Sequence, residues 1–559
     1  MCGIVGFIGK NAVSNAMEKL RLLQYRGYDS VGVGFVEDGE IRIEKAVGKV
    51  DELSVKSESV RAVAHTRWAT HGKVCTRNAH PHASGENWAI VHNGIIENYS
   101  ELATGKTVSD TDSEVIAQLL EKYGNGLGSV IACAQKLEGA FAVLALEKSG
   151  KIYAIKQKSP LFVSEKNGEV VFASDPVCFC GFSDTYYSFC DKECAVADEN
   201  GVEFYSFSGE RIAKTPQTLA VEYRASEKGD FDTFMHKEIY DIPLAQSRIE
   251  QTYLPAFVSE VVSDIRHADE VWFIGCGTAY HACLFAVCVF EKAGVRCRAF
   301  IASEFRYSDV VPTKNTLCVF VSQSGETADT LGALEKVAGV CKTVALTNVG
   351  YSALASAVNV CLPTLAGEER AVASTKAYAC QIFVFDILAS VLNNAEPVMQ
   401  KLDKNGLDYI FEEAKRVVKS FDKNELFVLG RKADYVTALE CALKVKEVSY
   451  VNANAYPTGE LKHGFIALIE EGTEVLIFAT DPILYKKSLH GARECKSRGA
   501  KITVVTTEPE MFEGVGNVVK VSSYLCSVAF AFAFALECAK KRNFDPDMPR
   551  NLAKSVTVE

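Results

Sequence analysis

Val271-Trp272-Phe273-Ile274-Gly275-Cys276-Gly277-Thr278 decides the fold of the longer half of this chain: a compact apolar run, a turn of small residues, and the start of a helix predicted over 280–293. The unit repeats. An apolar run over 316–321 leads through Ser322-Gln323-Ser324-Gly325-Glu326-Thr327 into a helix expected over 328–340, and a further strand is expected over 343–347. Near-continuous apolar strands alternating with helices indicate a parallel sheet covered on both faces. After a helical bridge at about 405–420 the order returns, with strands over 426–430, 474–480 and 501–506 and an apolar helix over 528–539. This half therefore reads as two similar α/β units.

Upstream the text differs. From residue 1 to about 221 it shows short β-type runs over 31–36, 89–92, 141–146, 152–156 and 170–173, with amphipathic helices over 13–24 and 111–123. Asp110 or Thr111 is expected to cap the second helix, with Glu114 in its first turn. This part reads as α+β with antiparallel sheets. A charged, non-periodic stretch over 222–246 is expected to be a linker and connecting helix. Several domains are required, because a chain of 559 residues exceeds the roughly 250–300 residues at which single cores stop growing.

Composition narrows the classes. Hydrophobic residues at 48% and charged residues at 23% describe a globular chain, and a net charge of −11 argues against a broad nucleic-acid or anionic-membrane footprint. Small anionic substrates stay open. The 19 cysteines are scattered through apolar runs, as in Cys283, Cys288, Cys318 and Cys380, which reads as buried thiols in a reducing compartment. Cys178, Cys180, Cys190 and Cys194 cluster in sequence but match no common zinc spacing. With no basic leader and no long uninterrupted apolar run, a cytosolic location is expected.

The chemistry begins at Cys2. Removal of Met1 would leave a thiol and an α-amine on one residue, and an α-amine with a reference pKa of about 7.7–8.0 can accept the thiol proton. Taken alone, Met1-Cys2-Gly3 is more often an ordinary buried cysteine. Beside it stand Arg26-Gly27-Tyr28-Asp29-Ser30, His65-Thr66-Arg67-Trp68-Ala69-Thr70-His71-Gly72, Asn78-Ala79-His80-Pro81-His82 and His92-Asn93-Gly94. Arginine suits a carboxylate clamp, and an Asn side chain beside a Gly N–H suits an oxyanion.

With Met1-Cys2-Gly3-Ile4-Val5-Gly6 and Asp110-Thr111-Asp112-Ser113-Glu114-Val115, these blocks resemble the class II glutamine amidotransferase domain, an N-terminal-nucleophile hydrolase. The resemblance implies that Cys2 attacks the glutamine amide and forms a thioester that water hydrolyses. It also implies an oxyanion hole from Asn93 and Gly94, glutamine held by Arg67, Thr70, His71 and Asp112, and Trp68 as the gate of an internal ammonia path.

In the second half, the turn from Ser322 to Thr327 puts hydroxyls and N–H groups at a helix start, which suits an anion. It resembles the sugar-phosphate loop of sugar-isomerase (SIS) domains. Pro549-Arg550-Asn551-Leu552-Ala553-Lys554-Ser555-Val556-Thr557-Val558-Glu559, Ala442-Leu443-Lys444-Val445-Lys446-Glu447, Gly459-Glu460-Leu461-Lys462-His463-Gly464 and Val372-Ala373-Ser374-Thr375-Lys376 extend the likeness. The chain is similar to the glutamine:fructose-6-phosphate aminotransferase (isomerising) family over nearly its whole length. That implies an αββα-sandwich hydrolase domain over 1–221, a linker over 222–250, SIS domains over 251–396 and 405–542, and a catalytic tail over 543–559. It further implies a Schiff base at Lys554, a base at Glu447 paired with Lys444, and ring opening by His463 donated from a second subunit of a homodimer. Sugar phosphate would meet Thr278, Ser322, Gln323, Ser324, Thr327, Val372 and Ser374. No metal, pyridoxal phosphate or ATP is called for.

Three places depart from the family. Ala279 replaces a usual serine, Phe465 a usual proline, and Glu368-Glu369-Arg370-Ala371 a usual Pro-Glu-Ile-Gly; loss of one hydroxyl at Ala279 is expected to weaken substrate affinity. The segment between Asn98 and Asp110 is also short. An amidotransferase with another acceptor is disfavoured by the tandem SIS motifs, and a non-catalytic sugar-phosphate sensor by the retention of Glu447, His463 and Lys554 together.

Overall fold

The computed structural model describes residues 2–69, 71–219, 228–395, 397, 399 and 401–557. The chain forms two compact units, one of residues 1–227 with 555–559 and one of residues 228–554. In the first unit an eight-stranded and a seven-stranded sheet carry the fold. Gly3–Ile8 runs antiparallel between Arg61–Arg67 and Glu169–Ala173, so the residue after Cys2 is pinned opposite Thr66 inside the larger sheet. In the other sheet Trp88–Ile96 pairs antiparallel with Gly139–Glu147 along its whole length, Asn93 opposite Ala142.

Side chains alternate across these strands. Ile4 and Ile8 join Val91, Leu144 and Phe172 in one cluster, while Val5 and Phe7 join the helix Ala12–Leu22 in another. This is the period-2 division of a strand buried on both faces. The helix Glu114–Tyr123 starts later than expected, and neither Asp110 nor Thr111 caps it. Asp110 instead accepts from Arg77 and Asn78, and Glu114 folds back to accept the N–H groups of Val108 and Ser109.

The second unit contains two five-stranded, all-parallel sheets of one topology. The first runs Cys297–Ile301, Glu270–Gly275, Thr316–Ser322, Lys342–Thr347, Val360–Pro363. The second runs Asn452–Pro457, Glu425–Gly430, Glu474–Ala479, Lys501–Thr506, Asn517–Lys520. The order is 2-1-3-4-5 in each, and ligands of such sheets bind beyond the carboxyl ends of strands one and three, where the winding reverses. One hydrophobic cluster draws on both halves, with the helices Lys376–Leu392 and Tyr524–Lys541 at its centre. Among the described residues no helix is long and apolar enough to cross a membrane.

Candidate active sites

In the first unit the strand Arg61–Arg67 delivers the next residue to Cys2: the Trp68 N–H points at Cys2 Sγ at 3.3 Å, and the thiol reaches the Trp68 carbonyl at 3.5 Å. Asn93 Nδ2 donates to the Cys2 carbonyl at 2.8 Å, while its buried Oδ1 has no partner among the described residues. Gly94 has φ 129°, and a Cβ there would lie 1.9 Å from the Ala140 carbonyl oxygen, so only glycine fits at this point of the strand. Burial pushes the Cys2 thiol up, against the pull of the Trp68 N–H and the Arg67 charge. The thiol therefore needs a base.

Arg67 is buried and donates to the carbonyls of His71 and Gly72, leaving Nη1 without a partner among the described residues. Asp112 accepts the Ile96 N–H at 2.8 Å from the strand that carries Asn93. A cation with a spare donor and a fixed carboxylate are what the amino-acid end of a ligand would need. Thr70 lies outside the described residues.

Behind this corner four histidines are buried together. His65 stacks on His80 with ring centroids 4.1 Å apart, and His82 stands edge-on to His80 at 4.4 Å. His65 Nε2 meets the His92 carbonyl and so carries the proton; His80 Nδ1 accepts the His92 N–H and so does not. Burial, and then nearby positive charge from Arg67 on His65, Lys45 on His82 and the neighbouring rings on His80, push His65 down to about 3 and His80 and His82 well below the usual imidazole range. The unfolded chain binds protons on these rings below pH about 6.5 and the folded chain does not, so stability is complete above that pH and is lost as pH falls through it. At pH about 5.5 each ring is expected to cost about 1.4 kcal/mol. Thermal unfolding of the first unit followed at neutral and mildly acid pH checks this, and an unchanged midpoint would contradict it.

In the second unit the winding of the first sheet reverses between Glu270–Gly275 and Thr316–Ser322; Thr278 lies in the first turn of the helix Gly277–Lys292 after the one, and the Ser322 to Thr327 turn follows the other. Ser322 Oγ accepts the Gly325 N–H at 3.0 Å and lies 3.3 Å from Thr327 Oγ1, and Ser324 Oγ accepts the Glu326 N–H at 3.1 Å. The turn is a ring of hydroxyls and N–H groups closed tightly enough that a Cβ on Gly325 would meet Ser352 Oγ at 2.0 Å. At the matching place in the second sheet, Asp434 fills the gap with its own carboxylate, accepting the Thr480 hydroxyl and N–H at 2.6 and 2.9 Å. Among the described residues, the cradle suited to an anion lies at the first sheet.

The helix Ala433–Ser449 brings Glu440, Lys444 and Glu447 onto one face. Lys444 Nζ lies 2.6 Å from Glu447 and 3.5 Å from Glu440, with Lys444 and Glu440 fully sequestered and Glu447 one-fifth exposed. Burial opposes the charge on Lys444, but the two carboxylates raise its pKa overall. Burial likewise opposes the charge on Glu440; Lys444, His281 at 2.7 Å and the Thr278 hydroxyl at 3.1 Å lower it overall. Lys554 Nζ donates to Glu369 Oε2 at 2.5 Å and to the Ala371 carbonyl at 2.8 Å, and the same Glu369 oxygen accepts the Ser374 hydroxyl at 2.9 Å. Val372 donates its N–H to the Asp547 carbonyl at 3.1 Å. His463 is exposed at the end of the short 3-10 segment Thr458–His463.

Family models match this chain twice: a glutamine amidotransferase domain over residues 65–180 and an SIS domain over residues 264–391 and 421–511. A glutamine–fructose-6-phosphate aminotransferase (isomerizing) from Clostridium acetobutylicum is 40% identical, with all of both chains covered. The chain belongs to the isomerizing glutamine–fructose-6-phosphate aminotransferase family. An Aquifex aeolicus member is 38% identical over the full length of both chains. Among solved structures, the C-terminal domain of the glucosamine-fructose-6-phosphate aminotransferase of Francisella tularensis matches with a TM-score of 0.53 and 29% identity, covering 58% of this chain and 100% of that one. The amidotransferase and SIS architecture expected of this family is thereby established.

Two departures from the aminotransferase family pattern have a physical account. Phe465 stacks on Tyr456 with centroids 4.1 Å apart and planes 12° from parallel, so an aromatic stack replaces the stiffness of proline. In Glu368-Glu369-Arg370-Ala371, Arg370 reaches back to Glu368 at 2.8 Å, while Glu369 turns inward to Lys554. Glu369, Glu440, His281 and Glu238 escaped the sequence reading. Glu440 alone carried a local signal, standing four and seven residues before Lys444 and Glu447 on one helical face.

Proposed function

We propose that this aminotransferase converts D-fructose 6-phosphate and L-glutamine to D-glucosamine 6-phosphate and glutamate, the entry into hexosamine synthesis, with nitrogen released at Cys2 and fixed on the sugar carbon that Lys554 first captures. The observation that carries the reading is Glu369, which accepts both the Lys554 ammonium and the hydroxyl of Ser374 from the sugar loop. An amine able to form a Schiff base thus stands beside a ligand-binding hydroxyl.

In the first unit the Cys2 thiol attacks the glutamine amide carbon, with the α-amine exposed by loss of Met1 as the base. Asn93 and the Gly94 N–H receive the oxyanion, Arg67, Thr70, His71 and Asp112 hold the amino-acid end, and water resolves the thioester. Trp68, already in contact with Cys2 Sγ, gates the departure of ammonia toward the sugar.

In the second unit Thr278, Ser322, Gln323, Ser324 and Thr327 hold the phosphosugar together with Val372 and Ser374. His463 opens the ring, Lys554 captures C2 of the open ketose, and ammonia replaces the lysine. Glu447, poised on Lys444, moves the proton between C1 and C2. The exposure of His463 favours delivery from a second copy, so the active particle is a homodimer of the cytoplasm; a monomer in sedimentation at assay concentrations would count against the shared site.

The test is direct. Purified chain with fructose 6-phosphate and glutamine should yield amino sugar and glutamate in equal amounts, and with ammonium salt amino sugar alone. Glutamate without amino sugar would leave the acceptor unidentified and refute the reading.

A further inference from the structure

Lys554 and Glu369 form an ion pair with side chains 4% and 0% exposed, closed off from bulk water. Attack on a carbonyl needs the nitrogen lone pair, which an ammonium does not have, so one proton must leave Nζ inside the closed site. Among the described residues its hydrogen-bond partners are the Ala371 carbonyl, which is no base, and Glu369 Oε2 at 2.5 Å. We propose that Glu369 is a catalytic residue of the sugar site, the acid–base group that shuttles protons between Lys554 and the C2 oxygen of the ketose.

This rests on the reading that Lys554 forms the Schiff base, and it adds a group that reading leaves out. The other oxygen of Glu369 is fixed by the N–H groups of Thr375 and Ala377 at 2.9 and 3.0 Å, so Oε2 keeps its aim while protons come and go. Ser374 donates to Oε2 at 2.9 Å. When that hydroxyl turns to the sugar, the carboxylate loses a donor that favours its charged form and becomes the stronger base.

Glu238 completes the arrangement. Its Oε1 accepts the N–H groups of Arg370 and Ala371 at 2.5 and 3.2 Å, and its buried Oε2 has no partner among the described residues. Burial, and then the charge of Glu369, push it up to about 8. Burial and that neighbouring charge favour its neutral form, while Lys554 and the N–H groups of Ala377 and Thr375 outweigh burial and keep Glu369 as the carboxylate that faces the amine.

The step balances. The ammonium gives one proton to Glu369, the freed lone pair attacks C2, and the carbonyl π pair moves onto oxygen. Glu369 returns its proton to that oxygen, takes a second from nitrogen, and gives it to the hydroxyl as the C2–O bond breaks. The iminium keeps one N–H, water leaves with two of the three ammonium hydrogens, and Glu369 ends as the carboxylate it was.

Borohydride reduction with fructose 6-phosphate, read at Lys554 by peptide mass spectrometry, follows iminium formation alone. Glu369→Gln is expected to label at least about 100-fold more slowly than the unaltered enzyme, the usual range of a lost acid–base group. Glu369→Ala should be as slow and should recover when formate is added, since a small carboxylate can enter the vacated space and take the proton. Labelling of Glu369→Gln at the normal rate would overturn the proposal. So would a slow Glu369→Ala that still binds fructose 6-phosphate but gains nothing from formate, because the glutamate would then be structural. Absence of label at Lys554 in the unaltered enzyme is a separate result, removing the Schiff-base assignment and the proposal with it.

Discussion

Cys2→Ala is expected to lower glutamate release from glutamine by about 10⁴-fold or more, the scale of losing the nucleophile of a catalytic group that acts as a unit. The same protein should go on making glucosamine 6-phosphate from ammonium salt. Alanine deletes only Sγ, whose contacts are the N–H and carbonyl of Trp68, and Cys2 belongs to none of the hydrophobic clusters of its unit. Gly3–Ile8 stays paired on both sides, so the strand that presents residue 2 does not move. Lys444, Glu447 and Lys554 all belong to the second unit and do not need the thiol. Glutamate release within tenfold of normal would remove Cys2 from the mechanism, and loss of the ammonia reaction in a folded protein would mean that the two chemistries are not separable.

Glu447→Gln should do the reverse. Formation of amino sugar is expected to fall by about 10²–10⁴-fold with either nitrogen source, as befits a lost general base, while glutamine hydrolysis continues. The amide keeps the shape of the carboxylate and can still accept from Lys444, so packing in the helix Ala433–Ser449 is preserved. Glu440 also remains beside the buried ammonium, which is therefore not stranded; stripping away all of its counter-charge would cost about 3–5 kcal/mol. The loss should appear in kcat with KM for fructose 6-phosphate little changed, because the role proposed for Glu447 is proton transfer rather than ligand binding. An unaltered kcat would hand the proton transfer to another group.

Much of this was written in the residues themselves. Apolar runs and small-residue turns announced the first, third and fourth strands of each parallel sheet, because strands buried on both faces must be apolar throughout. The edge strands Cys297–Ile301, Val360–Pro363, Asn452–Pro457 and Asn517–Lys520 went unread. Asn452-Ala453-Asn454-Ala455-Tyr456-Pro457 shows why: an edge strand is partly solvated and tolerates both polar residues and a terminal proline, so no hydrophobic run marks it. The cap of the helix Glu114–Tyr123 was misjudged since Asp110 found an arginine and an asparagine brought near only by folding.

The chemistry divides along the same line. Asn93 and Trp68 stand 91 and 66 residues from Cys2, and family likeness rather than spacing joined them. A separation of 185 positions between Glu369 and Lys554 hid a pairing that no local pattern could announce, and Glu369 stood out only as part of a stretch that departs from the family pattern. A buried carboxylate is legible only when its partner is known, because in isolation its charge argues for solvent.

The central helices of the second unit bear on how such a protein can be divided. In Tyr524–Lys541 the run from Leu525 to Leu536 is buried at every position, and Tyr378 of Lys376–Leu392 meets Phe532 edge to face at 6.1 Å. One apolar cluster spans both repeats, so severing them near residue 404 would expose part of it to water on each side. Either repeat on its own is therefore expected to aggregate, which favours inheritance of the pair as one cassette.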